Sequence, residues 1–129
     1  MLMSVFALAG TTPPTAVLKS FQEKFPNAEN VKWGMENKTE YEAEFKIETQ
    51  AVSANFKEDG TWVETETVIS LYDLPSSVID YVGQNFSGIT IKETAKIETP
   101  ERTVFEVEIK GEAYLFDTAG KFIGEAEEK

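Results

Sequence analysis

The sequence predicts an α+β fold: a tandem repeat of one helix plus a four-stranded antiparallel meander, in two layers. Three observations carry that expectation. First, the chain repeats itself. Pro14, Val17, Phe21 and Phe25 return 61 positions on as Pro75, Val78, Val82 and Phe86. Tyr41, Ala43 and Phe45 return as Phe105, Val107 and Ile109, and Phe56, Gly60 and Trp62 return as Phe116, Gly120 and Phe122. The offset drifts by a few residues, as expected where insertions fall in loops. Second, each copy opens with a single apolar stripe at helical spacing. Third, the rest of each copy alternates apolar and charged residues with a period of two. One amphipathic helix laid on a four-stranded sheet is a two-layer sandwich.

The elements follow in order. Thr11-Thr12-Pro13-Pro14 breaks regular structure, and Thr12 or Thr15 is placed to cap the helix that follows. Val17, Leu18, Phe21, Lys24 and Phe25 have helical spacing, and Phe25-Pro26 ends the run because a residue before proline avoids the α region. Val31-Lys32-Trp33 is a short strand. Tyr41 to Ile47 is the cleanest alternation in the chain, and residues 51–57 and 61–69 give two more strands. The second copy restarts at Leu74-Pro75-Ser76 with a stripe of Val78, Ile79, Val82 and Phe86, ending at Ser87-Gly88. Its strands are expected near 89–98, 103–110, 112–117 and 121–126. The expected organisation is thus 11–70 for the first copy and 71–129 for the second, together forming one compact unit.

The last hairpin of each copy sets a register. Asp117-Thr118-Ala119-Gly120 has Asp first and Gly fourth, the signature of a type I turn closed by a glycine bulge. That turn sets Phe116 opposite Phe122, and the equivalent Lys57-Glu58-Asp59-Gly60 sets Phe56 opposite Trp62. A two-residue Asp59-Gly60 turn would instead pair Lys57 with Trp62. The repeat favours the bulged form, because it buries aromatics in both copies. Gly111 is expected to be less demanding if its turn admits ordinary dihedrals. The inward face then collects Tyr41, Ala43, Phe45, Ala54, Phe56, Trp62, Phe105, Val107, Ile109, Tyr114, Phe116 and Phe122. Phe21, Phe25, Val82 and Phe86 pack onto it from the helices. Trp33 and Trp62 are expected in the core, since aromatics favour half-buried pleated surfaces.

Composition excludes more than it assigns. The 129 residues are 41% hydrophobic, with nine Phe, four Tyr and two Trp, which is globular. A net charge of −11, from 23 acidic and 12 basic residues, argues against nucleic acid and against anionic membrane surfaces. The chain has no Cys and no His, which removes thiol nucleophiles, disulfides, Ser–His triads and the usual zinc sites. Residues 1–10, Met-Leu-Met-Ser-Val-Phe-Ala-Leu-Ala-Gly, match the end of a secretory signal peptide with a small-x-small cleavage site. The positive leading region is missing and the run is too short to span a bilayer, so an ordinary N-terminal strand and an artefact stay open.

Carboxylate pairs are the only catalytic raw material: Glu42 and Glu44, Glu64 and Glu66, Glu106 and Glu108. Each pair shares a strand face, but in the manner of any solvated sheet, and no pocket or pKa tuning is legible. The expectation is no enzyme, no cofactor and no metal site, beyond a weak surface calcium site that carboxylate density alone would allow. The outward face carries Glu42, Glu44, Lys46, Glu106, Glu108 and Lys110, interrupted by Val63, Leu115 and Ile123. An apolar centre in a charged rim suits a partner. The candidate partner-binding face is therefore Glu42, Glu44, Val63, Glu106, Glu108, Leu115 and Ile123.

The run Phe21 to Ala28, then Val31-Lys32-Trp33, Tyr41 to Phe45, Phe56 to Trp62 and the restart at Leu74-Pro75 resembles the β-lactamase-inhibitor-like, PepSY-like domain family. The resemblance covers nearly the whole chain after residue 12. It implies a tandem helix-plus-sheet architecture similar to the β-lactamase inhibitor protein. It also implies export to the Gram-negative cell envelope, hence a periplasmic or secreted location, and a hydrolase, peptidases included, as the partner class. The β-lactamase inhibitor protein itself carries disulfides, so inhibition of its target does not transfer to a chain without Cys. The reading is a non-enzymatic cell-envelope binding module for a protein or peptide. The alternative is a small-ligand carrier or sensor with a cavity between the two copies, and cavity volume discriminates them.

Overall fold

A computed structural model describes residues 11–126. The signal-like segment 1–10 lies outside the described residues. The fold is α+β, and the described residues form two α-helices and eight antiparallel strands. It divides into two compact units, one reaching to Thr67 and the other starting at Val68.

The first unit holds α1 (Thr15–Lys24) and strands β1 (Glu29–Met35), β2 (Glu40–Ile47), β3 (Gln50–Lys57) and β4 (Trp62–Val68). Pro14 itself is the N-cap, its carbonyl accepting from the N–H groups of Val17 and Leu18 at 3.0 and 3.1 Å. No side chain caps the helix, so the expectation for Thr12 or Thr15 is corrected. Proline pre-sets the dihedral angle needed there, and the carbonyl starts the ladder without a hydroxyl. Val17 and Phe21 are the buried residues of α1. They pack on Ala43, Phe45, Val52, Ala54 and Phe56, with Phe25, Trp33, Tyr41 and Trp62 closing around them. Phe21 sits edge-on to Trp33 at 5.2 Å and to Phe45 at 5.1 Å, which adds ring electrostatics to area burial. Leu18 is exposed, on the margin of the stripe.

The second unit begins with a 3₁₀ turn (Leu71–Asp73) in which Ser70 and Asp73 cap each other. It continues with α2 (Ser76–Asn85), β5 (Ile91–Glu98), β6 (Thr103–Ile109), β7 (Glu112–Phe116) and β8 (Phe122–Ala126). Val78 and Val82 face Val107, Ile109 and Phe116. Ile79, expected in the buried stripe, is exposed. Tyr81 takes its place by stacking on Phe122 at 5.1 Å and meeting Phe116 edge-on at 5.3 Å. Positions 79 and 81 flank the Val78–Val82 stripe on opposite sides, so helix geometry alone does not choose between them, and the rings of Phe116 and Phe122 cover position 81.

Both bulged turns form. Gly60 and Gly120 have φ of +93° and +90°, and their N–H groups donate to the carbonyls of Lys57 and Asp117. Phe56 pairs with Trp62 and Phe116 with Phe122, and a second register shift just beyond each pair leaves Val63 and Ile123 as extra residues. Every residue assigned to the inward face belongs to one of the two cores. Gly111 differs from the ordinary-dihedral option. Lys110 and Gly111 both have positive φ, +54° and +79°, and Ile109 pairs with Glu112. That is a two-residue hairpin whose twist matches the strands, as in a type I′ turn.

Candidate functional site

Side chains alternate across each sheet, so the face turned away from each helix collects the carboxylates. In the first unit, β2 places Glu42 between Gly34 of β1 and Asn55 of β3, and Glu44 between Lys32 and Ser53. Ser53 and Asn55 face Glu66 and Glu64 of β4. In the second unit, Glu106 lies between Ala95 and Leu115, and Glu108 between Glu93 and Ala113.

Four of these carboxylates are not in water. Glu42 and Glu106 are each 2% exposed and Glu66 and Glu108 each 1%, so the expected solvated face is corrected at these four positions. Alternation says which residues share a face, not whether that face is wet. Of the remaining four residues assigned to the face, Glu44, Val63 and Leu115 are half-buried, and Ile123 is 41% exposed.

Burial pushes the Glu42 carboxyl up to about 8, and the nearby Glu36 carboxyl, hydrogen-bonded to it, and then Glu44 push the same way. A hydrogen bond from Ser53 opposes the rise. Glu36 closes the β1–β2 hairpin, its N–H donating to the Glu40 carbonyl at 2.9 Å. Sequence reasoning missed Glu36, because a hairpin of unknown register hides which loop residue folds back onto the strand. In the second unit the Lys92 ammonium stands 4.0 Å from Glu108, and burial, followed by the charge of Glu108, raises the Glu93 carboxyl. Among the described residues no group of three or more acidic side chains is arranged to hold a metal ion.

Three open grooves mark the surface. One of about 500 Å³ in the first unit is lined by Asn30, Lys32, Glu44, Phe45, Lys46 and the start of β3. A second of about 320 Å³ runs between Val68–Leu71 and β5. The third, about 290 Å³, is mostly apolar and lies between the 3₁₀ turn, one flank of α2 and the approach to β5, with Leu71, Ile79, Val82, Phe86, Ile89 and Ile91 in its wall. Tyr72, next to Leu71 in sequence, is 87% exposed. Neither Tyr72 nor this groove was singled out in the sequence, where exposure of a lone aromatic leaves no periodic signal. No helix among the described residues is long and apolar enough to cross a membrane.

Comparison with known proteins agrees with this architecture. A protein of Bacteroides eggerthii described as a putative periplasmic protein superposes with a TM-score of 0.81 at 19% identity, over 90% of this chain and 89% of that one. A BLIP-like protein of Bacteroides fragilis gives 0.78 at 23% identity, over 92% and 89%. A DUF2874 family protein of Bacteroides ovatus gives 0.80 at 21%, over 91% and 89%. At such identities the likeness shows the fold. Among curated proteins, none matches the chain. The family model described as "Putative beta-lactamase-inhibitor-like, PepSY-like" matches residues 5–52 and 39–124, and the chain belongs to that family.

Proposed function

We propose that this domain is a non-enzymatic binding module of the cell envelope, built from two copies of one module, whose partner is a protein or peptide. The observation that carries the reading is apolar surface left in solvent on the second unit. The second unit carries an apolar groove walled by Leu71, Ile79 and Phe86, and on the same unit Tyr72 is 87% exposed and Ile123 41% exposed. Contiguous apolar surface of the groove's kind marks places that a partner can cover. The family and the BLIP-like neighbour support an inhibitor-like role, and a hydrolase is the partner class this suggests. The neighbours described as periplasmic support export.

The test is retention of a partner from envelope extract by the whole domain, compared with two double variants. Tyr72→Asp with Ile79→Asp removes the groove surface, and Val63→Asp with Ile123→Asp alters the sheet positions. A partner lost by one double variant with unchanged melting supports the reading and locates the surface. Retention of nothing by the native domain, or equal retention by all three proteins, overturns it.

A second reading is a small-ligand carrier. The groove of about 500 Å³ at Lys32, Glu44 and Lys46 favours it, since small-molecule sites span about 300–1,000 Å³. Its wide opening disfavours it, because carriers bury most of their ligand.

A further inference from the structure

Two of the grooves meet. The one between Val68–Leu71 and β5 and the one beside α2 are both lined by Leu71 and Ile91, so a mostly apolar surface runs over the second unit from Ile69 to Ile79 and Phe86. The first copy does not carry the same residues. At an offset of 61 positions it has Ala28 and Asn30 where the second has Ile89 and Ile91, and Gln22 where the second has Gly83. Gly83 lies inside α2, is exposed, and lines the groove. Glycine inside a helix lowers stability relative to alanine. Nothing within this chain asks for it, because a β-carbon there would meet no atom within 4 Å and the residue is helical. What the glycine leaves is room along the groove, next to Ile79, Val82 and Phe86.

The charge around the groove has one sign. Between Val68 and Ile91 the chain carries two charged residues, Asp73 in the 3₁₀ turn and Asp80 on α2, both exposed, in a protein of net charge −11. Asp80 is three positions before Gly83 and neighbours it on the helix surface. Asp73 also accepts from the Ser70 N–H at 3.2 Å, which holds it in the turn. At the far end Lys92 and Glu93 offset each other, and Lys92 stands 4.0 Å from the buried Glu108. A second copy of this chain would bring the same negative charge to the surface, and a purely apolar occupant would gain nothing from Asp80.

We propose that the groove from Leu71 to Ile91 takes a short peptide segment of a partner, apolar at its centre and basic at its flank, whose backbone passes over Gly83 and whose Lys or Arg meets Asp80. The inference rests on the binding-module reading and names its partner class. The apolar side chains of the segment pack on Leu71, Ile79 and Phe86, and their burial supplies the affinity. The acidic rim supplies orientation and rejects acidic segments, this chain's own copies among them.

The experiment is an amide NMR titration of the whole domain with three synthetic peptides that share a Leu and Phe centre and are flanked by Lys, by Glu or by Ser. The Lys-flanked peptide is expected to shift the signals of Leu71, Ile79, Gly83 and Ile91 and to bind about tenfold or more tighter than the Glu-flanked one, a preference that narrows at high salt. Gly83→Ala is expected to melt about 2–5 °C higher, from helix propensity, and yet to bind the Lys-flanked peptide about tenfold more weakly. Asp80→Asn is expected to keep the native melting temperature and lose most of the preference for Lys over Glu flanks. Groove signals unmoved by the Lys-flanked peptide overturn the proposal, as do equal affinities for the Lys and Glu flanks. Undiminished binding by Gly83→Ala overturns the passage of a backbone over that residue. Shifts of the same signals on concentrating the domain alone assign the groove to a second copy and overturn it too. A partner retained from envelope extract while the groove ignores the Lys-flanked peptide sinks this inference and leaves the binding-module reading in place; a groove that takes the peptide while extract yields no partner does the opposite.

Discussion

Gly60, Gly111 and Gly120 form a set in which backbone conformation and close packing can be separated. All three have positive φ, at +93°, +79° and +90°. A β-carbon at Gly111 would meet nothing within 4 Å, so Gly111→Ala carries only the conformational term, about 1 kcal/mol. At Gly120 the added atom would collide with Ser77 Oγ and lie 3.0 Å from Ser77 Cβ and 3.3 Å from Pro75 Cβ. Ser77 can rotate away, at the expense of its hydrogen bond to the Ala119 carbonyl at 3.1 Å, about 1 kcal/mol. Gly120→Ala is therefore expected to destabilise by about 2–3 kcal/mol. At Gly60 the obstruction is the backbone of α1, with the Ala16 carbonyl oxygen at 2.7 Å, and the Ser20 hydroxyl lies at 2.8 Å. A helix backbone cannot rotate out of the way, so Gly60→Ala is expected to cost about 3 kcal/mol or more, as overpacking does. Valine at Gly60 or Gly120 adds the β-branch and raises the loss further. Urea denaturation provides the readout, with the slope checked for constancy. Trp33 and Trp62 both lie in the first unit, so fluorescence reports Gly60, while tyrosine circular dichroism reports Gly111 and Gly120. Equal losses at all three sites would refute the close approach of turn to helix. Negligible losses at Gly60 and Gly120 would refute the bulged register, and with it the pairing of Phe56 with Trp62 and of Phe116 with Phe122.

Further outcomes are expected from the cores, one turn and the buried acid. Phe56 and Phe116 are 0% exposed, and either one changed to alanine is expected to cost about 3–5 kcal/mol by denaturation, through lost burial and the cavity left behind. Tyr81→Ala is expected to cost about 2 kcal/mol, whereas Ile79→Ala, on the exposed side of α2, is expected to stay within about 0.5 kcal/mol; the reverse order would return Ile79 to the core. Glu48 has φ of +55° in the β2–β3 turn, so Glu48→Gly is expected to stabilise by about 0.5–1 kcal/mol, read as a higher melting temperature. Glu42 has a folded pKa raised to about 8 from 4.5. The folded state thus keeps a proton that the unfolded state releases, and stability falls as pH rises from about 4.5 to about 8, then levels off. Glu42→Gln is expected to flatten the curve over that window; an unchanged curve would remove Glu42 as its source.

How much was legible depends on the range of the interaction. The strands could be read because a period of two, kept over Tyr41 to Ile47 and repeated at Phe105 to Ile109, leaves little choice of conformation. The register of the last hairpins could be read because the turn residues of Asp117 to Gly120 and Lys57 to Gly60 fix it locally. The inward aromatics followed from that register. Both helix starts were placed by proline, though the capping hydroxyl expected at Thr12 or Thr15 was not needed. The helix face was less certain at its margins, where Ile79 and Tyr81 flank the Val78–Val82 stripe on opposite sides and the partners Phe116 and Phe122 decide.

By itself the sequence determined the order of elements, the inward-facing residues of both copies, the family and the absence of thiol and imidazole chemistry. All of these rest on residue identity or on spacing within one element. Only the tertiary structure decided that Glu42, Glu66, Glu106 and Glu108 are buried, that Tyr72 stands in solvent, and that Ile79 joins the wall of a groove. Periodicity assigns a side chain to a face, but solvent access and the contact of two charges depend on what other segments bring to that face, and that information is held in distance, not in order along the chain.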